Sequence, residues 1–586
     1  MGPAHEYPHA FPLGNGGAVA GAMPGGGGRA ALRGGTPAYT NRKKTRPAPM
    51  ERGVYMLQAA GRNSNAIAAT PGEGWAIHRM TPASRLTNAN GIRTGADGRI
   101  YVAQVAGSMV SAIDVDSGVI ETISPNGGGI VGPDDLAFDE AGNLYCTEIT
   151  MGRVSMMTPK GEYKVIHGDM PVANPITYHQ GRLIAGELRL GGRIMELDRD
   201  GGAHRVIYEG VPMANAFEVG PDGKLYFPAQ GANEIWRIDL DGGEPEVVAK
   251  DLGIPDSVKF HPDGYIVSTQ VYSGQVLKID PRTGEKSILA DIGPGLDNVA
   301  FVNGRTFVSH INGSITEITA PGQTKSLVDK GLQWPLGLAV DEHGHVLVAD
   351  GGFSYLLRPG EHLQLAGMLF SPGFPGWIRD VVASGADEWI VTTANGDVAR
   401  WKPAAGTSEV LASGYDRLMG VSVAPSGDAV FAELGTGKVF ALEGGNVVEL
   451  ASGLDRPMGV AVAGDGSVYV AESGAGRVVK LVGGRKETVL DGLARPEGIA
   501  IAGGTLYVAD PGANAVVASD ISGGARETLA SNLPIGGPGG VQPIQLGGVG
   551  DMCGPMNTFN GIALAPDGTV YLSADAEGSV LALRRL

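Results

Sequence analysis

Twelve residues in the chain occupy one recurring place, just ahead of a short apolar run: Asn90, Asp134, Asn174, Asn215, Asp256, Asp297, Leu336, Arg379, Met419, Met458, Glu497 and Asn560. Ten of the eleven intervals between them fall between 39 and 44 residues. The first six are all short oxygen donors. Calcium and other hard cations take six to eight oxygens from carboxylates, amides and water, so six such side chains brought to one axis would make a metal site. Asn and Asp also cap turns before strands, but turn capping does not explain why the second half of the chain puts Leu and Met at the same place. The expected ligands are therefore Asn90, Asp134, Asn174, Asn215, Asp256 and Asp297. The expected cofactor is a divalent ion, Ca2+ first, with Mg2+, Mn2+ and Zn2+ left open.

A second set of polar residues closes the next strand of each repeat. In the first half these are Gln104, Glu148, Glu187, Gln270 and His310, and in the second half Asp350, Glu433, Glu472 and Asp510. Such a residue commonly caps a turn. Glu148, Glu187 and His310 are the general-base candidates, since a base must reach both water and metal, and Asp256 joins them as a carboxylate of the site itself. His179 and His261 precede turn-like glycines and read as surface residues. The sequence has no GxSxG, no CxxC and no phosphate-binding loop, and its many glycine pairs carry no nucleotide signal.

The elements that would place these residues are visible in the repeat. GLDRPMGVAVAGDGSVYVAESGAGRVVKLVGG, from Gly453, is followed by GLARPEGIAIAGGTLYVADPGANAVVASDISGG, from Gly492. Each unit reads as four short strands separated by glycine turns, the pattern of a β-propeller blade. Twelve blades exceed the usual ring of about four to eight, so the expected fold is all-β, with two tandem six-bladed propellers. The expected boundaries are a Gly-rich and basic extension over 1–74, a first propeller over 75–320 and a second over 321–586. Closure of each ring by its own N-terminal strand would pair 75–80 with 313–318 and 325–329 with 578–584, with TAPGQT (319–324) as linker. The stretch 532–559 is the one long irregular segment, expected as a loop on the anchor face of the second ring.

Composition narrows the function. Lys and Arg total 45 against 62 Asp and Glu, a net charge of −17, which argues against a general nucleic-acid binder. Gly and Pro number 94 and 37, too many for a largely helical chain. Apolar runs are too short to span a membrane as a helix. Cys146 and Cys553 cannot build a disulfide framework and are expected as free thiols. The basic cluster Arg42, Lys43, Lys44 and Arg46 follows a glycine tract with no apolar core, unlike a secretory signal. The expected location is cytoplasmic.

The runs VANPIT, MANAFEV and PDSVKF give the first half a resemblance to the six-bladed family of gluconolactonases, senescence marker protein and luciferin-regenerating enzyme. That family holds a catalytic divalent metal with Glu, Asn, Asn and Asp in chain order, which implies Asn174, Asn215 and Asp256 as ligands here. The chain departs at the first ligand, where Asn90 stands in place of Glu, and Asp134 or Asp297 would restore the charge. The second half, with YVAESGAGRVV and YVADPGANAVV, resembles NHL-type repeats. The resemblance implies a metal-dependent hydrolase, a lactonase or esterase acting on a small-molecule substrate at the mouth of the first ring. Two alternatives stand beside it: a non-catalytic scaffold for protein interaction, and a metal-dependent lyase resembling streptogramin lyase. The second ring is expected to carry no metal, with Glu497 facing Arg379 as an ion pair. Association with further copies of the chain is left open.

Overall fold

The unit from 457 to 490 shows how the sequence makes its sheets. Pro457–Val462, Val468–Glu472, Arg477–Val482 and Arg485–Leu490 are joined by tight turns and pair antiparallel in chain order. Gly483 and Gly484 form a two-residue turn at φ +54° and +78°, a backbone that only glycine adopts without strain. The first two strands are almost wholly buried and the fourth is exposed along most of its length. Burial thus falls from the inner strand to the outer.

A computed structural model describes residues 57–58, 68–358, 362–369, 371–522, 524–537, 544–545, 553–554 and 559–586. Most of the expected extension (1–74) and of the expected loop (532–559) lies outside the described residues. Within them the chain is all-β apart from one short 3-10 turn, Gln230–Ala232. Eleven of its sheets are built around four consecutive antiparallel strands, and a twelfth joins Ile562–Leu564, Val570–Ala574 and Ser579–Arg585 to the distant Trp75–Arg79. Sheets one to six span 92–124, 133–167, 173–212, 218–249, 259–291 and 296–328, and sheets seven to eleven span 335–368, 378–412, 418–451, 457–490 and 499–531. The eleventh gains two short strands, Leu57–Gln58 and Ala68–Pro71, at its outer edge. No described helix is long and apolar enough to cross a membrane.

The inner strand of the first sheet lies beside those of the second and sixth. Gly91 N–H donates to Asp134 O (2.7 Å), and Ser309 Oγ donates to Asn90 O (2.7 Å). The inner strand of the twelfth sheet lies beside those of the seventh and eleventh, and Gly561 N–H donates to Leu336 O (3.2 Å). Neighbouring sheets bury Val, Ile, Leu and Ala between their faces, so the core is a series of inter-sheet layers.

The expected strand exchange is not the one the molecule makes. Trp75–Arg79 pairs with Ser579–Arg585, placing it as the outer strand of the twelfth sheet, with Trp75 opposite Arg585 and Arg79 opposite Leu581. The sixth sheet keeps its own fourth strand, Gln323–Val328, paired with Ile315–Ala320. Pro321 and Gly322 are the turn between those two strands, with Gly322 at φ +73°. The PG pair is therefore hairpin punctuation rather than a linker. The first six sheets lie, in sequence, between the outer strand of the twelfth sheet and the rest of the second six.

Candidate metal centre

The anchors sit where the ladder between the first two strands is interrupted. In the second, third and sixth sheets the register shifts between Pro133 and Leu136, Ala173 and Ile176, and Leu296 and Val299. A bulge at a strand end re-aims a side chain without moving the sheet. The structure brings the six first-half anchors together as three Asn–Asp pairs. Asn174 Nδ2 donates to Asp134 Oδ2 (2.6 Å), Asn215 Nδ2 to Asp256 Oδ2 (3.1 Å) and Asn90 Nδ2 to Asp297 Oδ2 (3.1 Å). Asn90, Asp134, Asn174, Asn215 and Asp256 are buried.

Their electrostatics show the crowding. Burial, then the charge of Asp135, pushes the Asp134 carboxyl up to about 8 against the opposing Asn174 hydrogen bond. Asp256 is raised by burial and next by Asp134, and Asp297 by burial and next by Asp256 and Asp134. Among the described residues no basic side chain forms an ion pair with any of the three. Isolated buried carboxylates are costly, and they either take up a proton or find a cation.

The donor set suits a hard cation, because every anchor offers a carboxylate or amide oxygen. Among the described residues no three His, Cys, Asp or Glu side chains converge closely enough to hold an ion on their own. Amide oxygens would have to contribute, and for that Asn174, Asn215 and Asn90 must turn their oxygens inward. At Asn215 this means giving up the hydrogen bond its Oδ1 now accepts from Ala216 N–H (2.7 Å).

Spacing did not single out three neighbours of the site. Gln230, opening the 3-10 turn just past its strand, donates to Asp256 Oδ2 (3.2 Å). Asp135, directly after an anchor, accepts from Ile176 N–H (3.2 Å) and Asn298 Nδ2 (3.3 Å) and lies 3.7 Å from Arg93. Lys259, three residues past Asp256, is buried with Nζ on Phe217 O (3.3 Å), and burial lowers it to about 8. The only sequence signal for each was its fixed offset from an anchor or a strand end.

The expected bases are placed differently from the anchors. Glu148 accepts from Val131 N–H (3.0 Å), Arg153 (2.6 Å) and Tyr163 Oη (2.8 Å). Glu187 accepts from Arg193 N–H (3.0 Å), the Arg193 guanidinium (2.5 Å) and Arg189 (2.9 Å). The same clasp recurs in the second half, where Asp350 holds Gln333 and Trp334 N–H, Glu472 holds Asp455 N–H and Arg477, and Asp510 holds Ala494 and Arg495 N–H. Glu148 thus fastens a strand end to the preceding loop, and Glu187 ties its strand end to the turn and strand that follow. His310 is buried, its Nδ1 accepts Asn312 N–H (3.1 Å), and burial lowers it to about 4. It is neutral near pH 7.

The second-half anchors make no donor set. Leu336, Met419 and Met458 pack with Trp334, Trp377 and Phe559, and Ala106 of the first sheet joins the same cluster. Glu497 lies 3.3 Å from Arg495 and accepts Asn560 N–H (2.8 Å). Cys146 is a free, buried thiol raised well above its ordinary value by burial, and the Cys553 side chain lies outside the described residues.

No protein-family model matches the chain, and no curated protein does. Solved structures do. A streptogramin B lyase aligns at 19% identity over 47% of this chain and 95% of its own, with a TM-score of 0.35. A virginiamycin B lyase from Staphylococcus aureus aligns at 18% over 47% and 96%, with a TM-score of 0.36. A provisionally named gluconolactonase aligns at 16% over 44% and 95%, with a TM-score of 0.35. At these identities and scores the likenesses decide nothing about the chemistry.

Proposed function

We propose that the two sets of six sheets are two closed six-bladed propellers, and that the first is a metal-dependent hydrolase of lactones or esters. The observation that carries the reading is the ring of three Asn–Asp pairs, whose buried or half-buried carboxyls form no ion pair with a basic side chain among the described residues. Asn174, Asn215 and Asp256 would hold the ion, with Asn90, Asp134 or Asp297 completing the set. A bound divalent ion supplies Lewis-acid polarisation of a carbonyl. Whichever of Asp134 and Asp297 is left outside the ligand set takes the proton from the attacking water, being closer to the site than the clasped Glu148 and Glu187. Gln230 orients Asp256 from behind.

The test is metal analysis of the dialysed protein, paired with lactone and ester turnover. About one Ca2+ per chain is expected, and Asp256→Asn should lower metal content and turnover together by at least about tenfold, the loss of one charged ligand. Full turnover after exhaustive chelation would overturn the reading. Product mass separates hydrolysis, which adds water, from the ring-opening elimination of a lyase, which does not.

A further inference from the structure

The two halves differ inside their channels. Three residues past each anchor the first half carries Arg93, Ala137, Thr177, Glu218, Lys259 and Ala300. The Arg93 guanidinium reaches Leu136 O (2.7 Å) and Ile176 O (2.8 Å), and Lys259 reaches Phe217 O (3.3 Å). Long side chains therefore bridge neighbouring inner strands. At the same place the second half has Ala339, Val382, Ser422, Ala461, Ala500 and Ala563, none longer than valine. A cavity of about 260 Å³ lies among these six. Drug-sized sites run from about 300 to 1,000 Å³, so this one suits a compact molecule.

One residue past the anchors, five of the six second-half positions are glycine and the sixth is Asp380. The glycines are required by packing: a Cβ at Gly459 would lie 2.3 Å from Glu497 O, and one at Gly561 2.7 Å from Leu336 O. Asp380 is the one ionisable residue lining the cavity, whose walls are otherwise Val, Ile, Leu, Ala, Gly and Phe apart from Ser422. Its Oδ2 accepts Val421 N–H (2.9 Å), which leaves acceptor capacity on a carboxylate with about four lone-pair sites. Burial pushes its carboxyl up to about 7 against the hydrogen bonds from Val421 and Val381. The anchor end of the channel holds Leu336, Met419, Met458 and Phe559 together with the buried Arg379, Glu497 and Asn560.

We propose that the second-half channel is a binding site for a compact apolar ammonium ion, its alkyl or aryl body against Val340, Val462, Ile501 and Leu564 and its N–H donors on Asp380. A buried ammonium needs a counter-charge, and Asp380 is the lining residue that supplies one. The site stands apart from the metal reading, because no first-half residue lines it.

Calorimetric titration of the full chain with benzylamine, in buffer containing EDTA, tests this without involving the metal. Saturable binding of one benzylamine per chain is expected, with benzyl alcohol at least about tenfold weaker for want of charge. Asp380→Asn should weaken benzylamine by at least about tenfold, because the amide keeps the Val421 hydrogen bond but loses the charge. Ala500→Leu, which fills the cavity, should abolish binding of both compounds, and each variant's melting temperature checks that it has folded. The proposal is overturned if benzylamine does not bind in the millimolar range. It is equally overturned if benzyl alcohol binds as tightly, or if affinity is unchanged in Ala500→Leu.

Discussion

Asp134, Asp256 and Asp297 give the first half a pH dependence whose sign follows from their surroundings. Each has its carboxyl raised in the fold, Asp134 to about 8 from an ordinary value of 3.8. The folded state therefore binds protons more tightly than the unfolded chain does. Stability present at low pH is lost as pH rises from about 4 through about 8. Melting in the presence of chelator should thus fall across that window, and added Ca2+ should restore it by more at pH 8 than at pH 5. A chelated protein that melts at the same temperature at both pH values would refute this account of the three carboxyls. All three were legible, because they recur at a fixed place in a 40-residue repeat. Lys259 was not, because a lysine within a strand looks the same in sequence whether it faces solvent or an axis, whereas Gln230 holds the repeat place of Gln104 and Gln270 and could have been read from it.

The strand-end acids are a matter of elements rather than chemistry. Glu148 is wholly buried, and with Arg153, Tyr163 and Val131 N–H it ties the second sheet's second strand to its third and fourth strands and to the loop ahead of the sheet. Removing its charge strands a guanidinium and weakens several hydrogen bonds, a loss of about 2 kcal/mol. Glu148→Gln should therefore lower the melting temperature while leaving metal content per folded chain unchanged. Loss of metal at full stability would place Glu148 in the site instead. The sequence shows such an acid in half of the repeats but not whether an arginine meets it, since Arg153 and Arg193 belong to the following strand. Pro321 and Gly322 teach the complementary lesson. A Pro-Gly pair ahead of an exposed, polar strand reads equally as hairpin or linker, and only the pairing of Ala320 with Gln323 decides. Outer strands carry little identity, because most of their side chains face solvent, as the exposed run Gln323–Ser326 does.

At the scale of the whole molecule, the first six sheets form an insertion within the second six. Their strands begin at Ile92 and end at Val328, and every one of their sheets is complete within those limits. The twelfth sheet is not complete without residues that precede them. Trp75 and Ile77, each 3% exposed, pack with Leu581 and Leu583 in one core layer. Arg79 pairs with Glu577 (2.9 Å), Met80 N–H donates to Val580 O (2.8 Å) and Ser84 N–H to Glu577 O (2.8 Å). Burying the two apolar side chains alone is worth about 1.5–3 kcal/mol each, a large share of an ordinary domain's stability of about 5–15 kcal/mol. Leaving the strand out also exposes the edge of Ser579–Arg585, an unpaired row of backbone groups that invites association. A fragment covering 81–332 should therefore melt cooperatively by circular dichroism. A fragment covering 333–586 should melt lower and self-associate, and a peptide covering 68–84 added in trans should restore it. The same peptide with Trp75→Ala and Ile77→Ala should restore it far less. If 333–586 were monomeric and equally stable without the peptide, the N-terminal strand would add nothing to the twelfth sheet.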